Sequence, residues 1–147
     1  MLSGVIYERK GDFAKAQGAF QRALDVAPRF APAANNLAYI LLMQGGDKEK
    51  ALQLAQTAKE ASPDDPRISD TLGWILYDRG VYQRAFVLLK ESAAKLPDNP
   101  AVQYHLGMAA LKVGDTETAK KSLAAAIATS TNFAGKDEAR RALAQLK

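Results

Sequence analysis

Residues 63–97 read PDDPRISDTLGWILYDRGVYQRAFVLLKESAAKLP. Gly80 divides that stretch into two segments of helical spacing, and Pro63 and Pro97 close it at either end. The same marks recur along the chain. Gly11-Asp12-Phe13, Gly46-Asp47-Lys48, Gly80-Val81-Tyr82 and Gly114-Asp115-Thr116 follow one another at 35, 34 and 34 residues, and Pro28, Pro63 and Pro97 at 35 and 34. Ala16, Ala51, Ala85 and Ala119 each stand five residues after their glycine, and Ala23, Ala58, Ser92 and Ala126 seven residues later still. A fixed period of this length marks a stack of supersecondary units, none of which can bury its apolar face alone.

Each mark has a physical job. The glycine ends a first helix, because without a Cβ it enters the left-handed backbone of a helix C-cap. Asp12, Asp47 and Asp115 can cap the next helix by accepting its unsatisfied N–H groups, whereas Val81 cannot. The small residues let two helices approach closely. Pro32, Pro66 and Pro100 fall at helix starts, where a missing N–H loses no hydrogen bond, and Asp65 and Asn99 precede the last two.

The apolar spacing between the marks is helical. Ala85, Leu88, Leu89 and Ser92 form one stripe, and Val102, Leu106, Ala109, Ala110 and Val113 another. The spacing predicts helices over 2–10, 12–27, 32–44, 47–61, 66–79, 81–95, 100–113, 115–129 and 136–146, an all-α chain. Composition agrees: 48% of the 147 residues are apolar, with only ten glycines and six prolines. Ala and Leu lose little rotamer freedom in a helix.

These residues resemble the tetratricopeptide repeat (TPR), whose 34-residue unit has a Leu-Gly pair and an aromatic in its first helix, small residues and an aromatic in its second, and then a proline. Leu72-Gly73 and Leu106-Gly107 match the pair, and Leu37-Ala38 matches with Ala for Gly. Gly4, Tyr7, Ala16, Phe20, Ala23 and Pro28 match in the first unit. The departures are the doubled Gly45-Gly46, Ala55 at a usually bulky position, and Val81. The resemblance implies a right-handed α-solenoid of about four hairpins. The array runs over 1–129, in units of about 1–30, 31–65, 66–99 and 100–129, with a loop and capping helix over 130–147. Met1 falls inside the repeat, and Met1, Leu2, Val5 and Ile6 make no polar cap. The expectation is a piece of a longer array; the alternative is a short protein that dimerises through this end. At the other end Leu143 and Leu146 are expected to face inward and Lys136, Glu138, Arg140, Arg141 and Gln145 to face water, as in a capping helix that closes the parent protein.

No catalytic constellation is visible, so the chain is read as not an enzyme. It has no cysteine and one histidine, His105, so no thiolate or paired-His metal site can be built, and no cofactor is expected. Asp64-Asp65 precedes Pro66 and reads as helix capping. No apolar run reaches the ~20 residues of a membrane span. The net charge of +4 lies wholly in residues 75–147, where eleven Lys/Arg face seven Asp/Glu, against nine and nine before them. These charges are interspersed along helix surfaces, so no nucleic-acid partner is expected.

In the TPR family the first helix of each unit lines a groove that holds a partner. By that resemblance the groove face is Asn35, Asn36, Tyr39, Met43, Arg67, Asp70, Trp74, Tyr77, Tyr104, His105 and Met108, with Val5, Arg9, Thr71 and Lys112 beside them. Trp74 lies off the packing stripe of Leu72, Gly73 and Leu76. The family's carboxylate clamp calls for Lys, Asn, Asn, Lys and Arg. The chain offers Met1, Val5, Asn36, Arg67 and Thr71, or one unit later Asn35, Tyr39, Thr71, Ala101 and His105, so a clamp is not expected. The implied function is a scaffold that docks a protein or peptide segment; the alternative is a self-assembly element. The runs 70–77, 104–108 and 133–140 are similar to bacterial TPR proteins associated with exopolysaccharide export and surface-protein sorting. That resemblance implies an envelope protein acting in the periplasm, with the cytoplasm as alternative.

Overall fold

The computed structural model describes residues 12–129 and 132–146, all of whose regular structure is α-helix. The helix expected over 2–10 and the cap residues at its end lie outside the described residues. The helices are α1 (Phe13–Val26), α2 (Ala31–Met43), α3 (Lys48–Ala61), α4 (Pro66–Asp78), α5 (Tyr82–Lys95), α6 (Pro100–Val113), α7 (Thr116–Ile127) and α8 (Lys136–Leu146). Every described helix falls within two residues of its expected position. The chain forms two compact units, Met1–Ile75 and Leu76–Lys147.

Local chemistry sets the helix ends. The carboxylates of Asp12, Asp47 and Asp115 accept the backbone N–H of Lys15, Lys50 and Thr118 at 3.2, 3.1 and 3.0 Å. Asn99 does the same for Val102 at 3.2 Å, and Val81 caps α5 with no side-chain bond. Asp115 also accepts the Thr118 hydroxyl, and these hydrogen bonds hold its carboxyl below the usual carboxylate range.

α2, α4 and α6 end in the same hydrogen-bonded turn. Gly45, Gly80 and Gly114 take φ of 68°, 82° and 84°. The residue after each donates its N–H back to Leu41, Leu76 and Ala110, at 2.8, 2.9 and 2.9 Å. In the second hairpin the left-handed position therefore belongs to Gly45 and not to Gly46, which corrects the expectation. Gly46 is the extra residue between cap and Asp47, and it accounts for the single 35-residue interval. A Cβ on Gly114 would meet nothing within 4 Å, so its conformation alone is at stake. Gly114→Ala is expected to lower stability by about 1 kcal/mol in denaturant titration; an unchanged midpoint would show that the left-handed cap is dispensable.

In the first unit α1 packs on α2 and α2 on α3, around Phe20, Leu37, Ile40 and the fully buried alanines 16, 51, 55 and 58. In the second, α5 packs on α6, α6 on α7 and α7 on α8, around Leu89, Leu106, Leu123, Ser92, Ala85 and Ala119. Ala55, the departure from a bulky residue, is fully buried. The close approach of α6 and α7 has a definite origin. A Cβ at Gly107 would come within 2.7 Å of both Cγ and Cδ2 of Leu123. Leu143 of α8 is buried as expected and Leu146 is partly so. Lys136 departs from expectation: it is only 8% exposed, and its ammonium donates to the Thr129 carbonyl at 2.8 Å. That carbonyl lies just beyond the end of α7, where the helix dipole favours a cation.

Candidate partner-binding site

α2, α4 and α6 carry the residues of interest, and the two compact units present them separately. In the first unit Asn35, Asn36 and Tyr39 are half-buried on α2, and Met43 at its end is 41% exposed. Asn35 Nδ2 donates to Asn36 Oδ1 at 3.5 Å, while Asn35 Oδ1 is buried with no donor among the described residues. On α4, Asp70 and Trp74 are half-buried. Arg67 is exposed and already engaged: its backbone N–H donates to Asp65 Oδ1 at 2.9 Å, and its Nη2 lies 3.3 Å from Oδ2. Burial raises the Asp65 carboxyl, but the Arg67 hydrogen bonds and charge outweigh it and hold it below its ordinary value. Thr71 is buried, and its hydroxyl donates to the Arg67 carbonyl at 3.1 Å.

In the second unit the face changes character. Tyr104 and His105 are each 4% exposed and Met108 is 8% exposed. Tyr104 is covered by its own chain. Its hydroxyl donates to Glu138 Oε2 of α8 at 2.7 Å, and its ring lies 5.8 Å from Phe133 and 5.5 Å from His105, centroid to centroid. Burial, then the hydrogen bond and charge of Glu138, push the Tyr104 phenol above its ordinary range. The sequence placed Tyr104 and His105 on an open groove; both are buried, Tyr104 against Phe133 and Glu138, and His105 at the repeat position where Thr71 is buried too. Tyr77 stays half-buried, with its ring edge-on to Tyr82 at 5.6 Å. Its phenol is also raised, by burial first and by the Glu138 charge second.

Beside this covered face lies a cleft of about 510 Å³. Tyr77, Met108 and Leu111 line it with Lys112, Glu138 and Arg141. It brings together three of the residues expected on the groove face, Tyr77, Met108 and Lys112, and adds the α8 side chains that the sequence assigned only to solvent. The signal for them was the spacing of Glu138, Arg141 and Gln145, one face of a helix that follows α7 as a first helix follows a second. Among the described residues no cluster of His, Cys, Asp or Glu could hold a metal, and no helix is long and apolar enough to cross a membrane.

The chain matches family models described as tetratricopeptide repeat over residues 2–66 and again over 76–146. It is 31% identical over 103 residues to the TPR repeat-containing protein PA4667 of Pseudomonas aeruginosa, covering 70% of this chain and 17% of that protein. It is 32% identical over 100 residues to the BBSome complex member BBS4 of Bos taurus, covering 65% of this chain and 18% of that one. The chain thus spans under a fifth of the length of these curated relatives. Among solved structures, the TPR protein TTC0263 of Thermus thermophilus superposes with a TM-score of 0.73 at 25% identity, covering 97% of this chain and 77% of its own. PilF of Pseudomonas aeruginosa (TM-score 0.76, 21% identity, 97% and 64% covered) and MamA (0.74, 19%, 97% and 81%) share the fold.

Proposed function

This chain belongs to the tetratricopeptide-repeat family, a fold that generally serves as a protein–protein interaction scaffold without catalysis of its own, and from that premise we propose that it docks a protein segment on its first-helix faces. The observation that carries this reading is the partial exposure of Tyr39 and Trp74 among polar neighbours. Aromatic side chains with one face in solvent and amides alongside are the usual anchors of protein recognition, giving apolar contact while polar neighbours fix the orientation. Asn35 and Asn36 supply amide donors and acceptors, and Met43 adds an adaptable apolar end to α2. Asp70 places a carboxylate beside Trp74 on α4. Arg67 contributes charge beyond its pairing with Asp65.

The test is affinity capture from the source cells, with the Tyr39→Ala/Trp74→Ala double variant as control. The variant is expected to weaken binding of any captured partner about tenfold while its far-ultraviolet circular dichroism stays native. Equal capture by a folded variant would sink the reading. Self-assembly is the second reading. It is favoured by the exposed apolar side chains of the α1–α2 turn, where Val26 is 88% and Phe30 39% exposed. Sedimentation over a concentration series decides it, because a strict monomer removes it. We further propose, from the resemblance of 70–77, 104–108 and 133–140, that the protein works in the bacterial envelope, in polysaccharide export or surface-protein sorting; fractionation of source cells tests that proposal.

A further inference from the structure

The cleft of the second unit is chemically lopsided. Tyr77, Met108 and Leu111 give it apolar lining, and its charged groups are two cations, Lys112 and Arg141, against one carboxylate, Glu138. That carboxylate is engaged, because it accepts the Tyr104 hydroxyl at 2.7 Å. The cations are not matched by it. Among the described residues neither Lys112 nor Arg141 forms an ion pair: the neighbouring arginine, Arg140, takes Asp137 at 3.2 Å, and Lys112 lies 5.5 Å from the centre of the Tyr82 ring. Residues 76–147 carry eleven Lys/Arg against seven Asp/Glu, so the surroundings reinforce the excess.

A ligand suited to this cleft brings an apolar side chain for that lining and a carboxylate for the cations. We infer that the cleft is a subsite for a partner segment in which an Asp or Glu side chain stands beside a large apolar residue. The inference rests on the partner-binding reading above and names the chemistry of one part of it. The apolar residue seats on Met108 and Leu111 against the Tyr77 ring. The carboxylate then meets Lys112 and Arg141, and Arg141 can offer it a planar pair of N–H donors. The Tyr104 hydroxyl already occupies Oε2 of Glu138, so the cleft's one carboxylate is partly engaged.

The test uses three peptides: one alternating Leu and Phe with Asp and Glu and blocked at both ends, its Asn/Gln twin, and the twin with a free C-terminal carboxylate. Affinity is read by fluorescence anisotropy, and the Met108 methyl signal reports whether binding is at the cleft. The acidic peptide is expected to bind about five- to tenfold more tightly than its blocked twin. It is expected to shift the Met108 methyl and to weaken as salt is raised. Lys112→Gln/Arg141→Gln is expected to erase the preference; both side chains are exposed, and helicity checks that the fold is kept. Equal affinities, a preference that survives the double variant, or failure of the acidic peptide to bind overturns the inference. Preference for the free C-terminus overturns the side-chain source. A blocked neutral twin that binds equally well, but not to the Tyr39→Ala/Trp74→Ala variant, leaves the broader reading standing and removes this one.

Discussion

Leu123→Ala is expected to lower the unfolding free energy by about 3 kcal/mol, the range for removing a fully buried leucine from a core that cannot collapse around the gap. Leu123 is completely buried on α7, and its Cγ and Cδ2 fill the space that a side chain at Gly107 would need. The two positions therefore form a coupled pair. Gly107→Ala gains helix propensity of about 1 kcal/mol but forces its methyl group into Leu123, so it is expected to destabilise by about 1–2 kcal/mol net. In the Leu123→Ala background the same methyl group has room, and its penalty is expected to vanish. Denaturant titration of the four proteins measures this coupling, on the order of 1 kcal/mol or more. Additive effects would show that the Gly107–Leu123 approach does not set the α6–α7 spacing.

Gly135→Ala is expected to have the next largest effect, about 2 kcal/mol, concentrated on α8. Gly135 holds φ at 96°, a conformation that a side chain strains by about 1–2 kcal/mol. Its carbonyl also starts α8 by accepting the Ala139 N–H at 2.9 Å. A Cβ there would run into the Tyr104 ring, which is fixed by its bond to Glu138 on the same helix. Displacing the ring breaks that bond and loosens α8. Hydrogen exchange of the α8 amides is expected to accelerate about thirtyfold. In a Tyr104→Ala background the collision is gone, and the same substitution is expected to accelerate exchange only about five- to tenfold further. Equal acceleration in both backgrounds would assign the whole effect to backbone strain.

Much of the fold was legible because its punctuation is local. A helix cap is settled between residues three apart, as Asp12, Asp47, Asn99 and Asp115 each show. Val81 was legible by the same rule, as a start without a cap. Ala16, Ala51, Ala85 and Ala119, which recur at fixed spacing, are buried because that period puts them on the helix face that meets a neighbour. The doubled glycine was harder to read. Composition cannot say which of Gly45 and Gly46 turns left-handed; the back-bond from Gly46 to Leu41 decides it.

The candidate site was half legible. Trp74 has the partial exposure that its off-stripe helix position implies, and Tyr39 is partly exposed as well. Tyr104 and His105 sit on the corresponding face of α6 and yet are buried. The sequence by itself determined the period, the helix ends other than the Gly45-Gly46 cap, and the first-helix face, because hydrogen bonds and apolar contacts within a few residues fix all three. The tertiary structure alone decided that Tyr104 lies beneath α8, that the Lys136 ammonium meets Thr129, and that Lys112 and Arg141 line one cleft. Tyr104 and Glu138 are 34 residues apart. Which side chain covers which at that separation depends on how two helices pack, and helical periodicity says which face a residue is on but not what arrives to cover it.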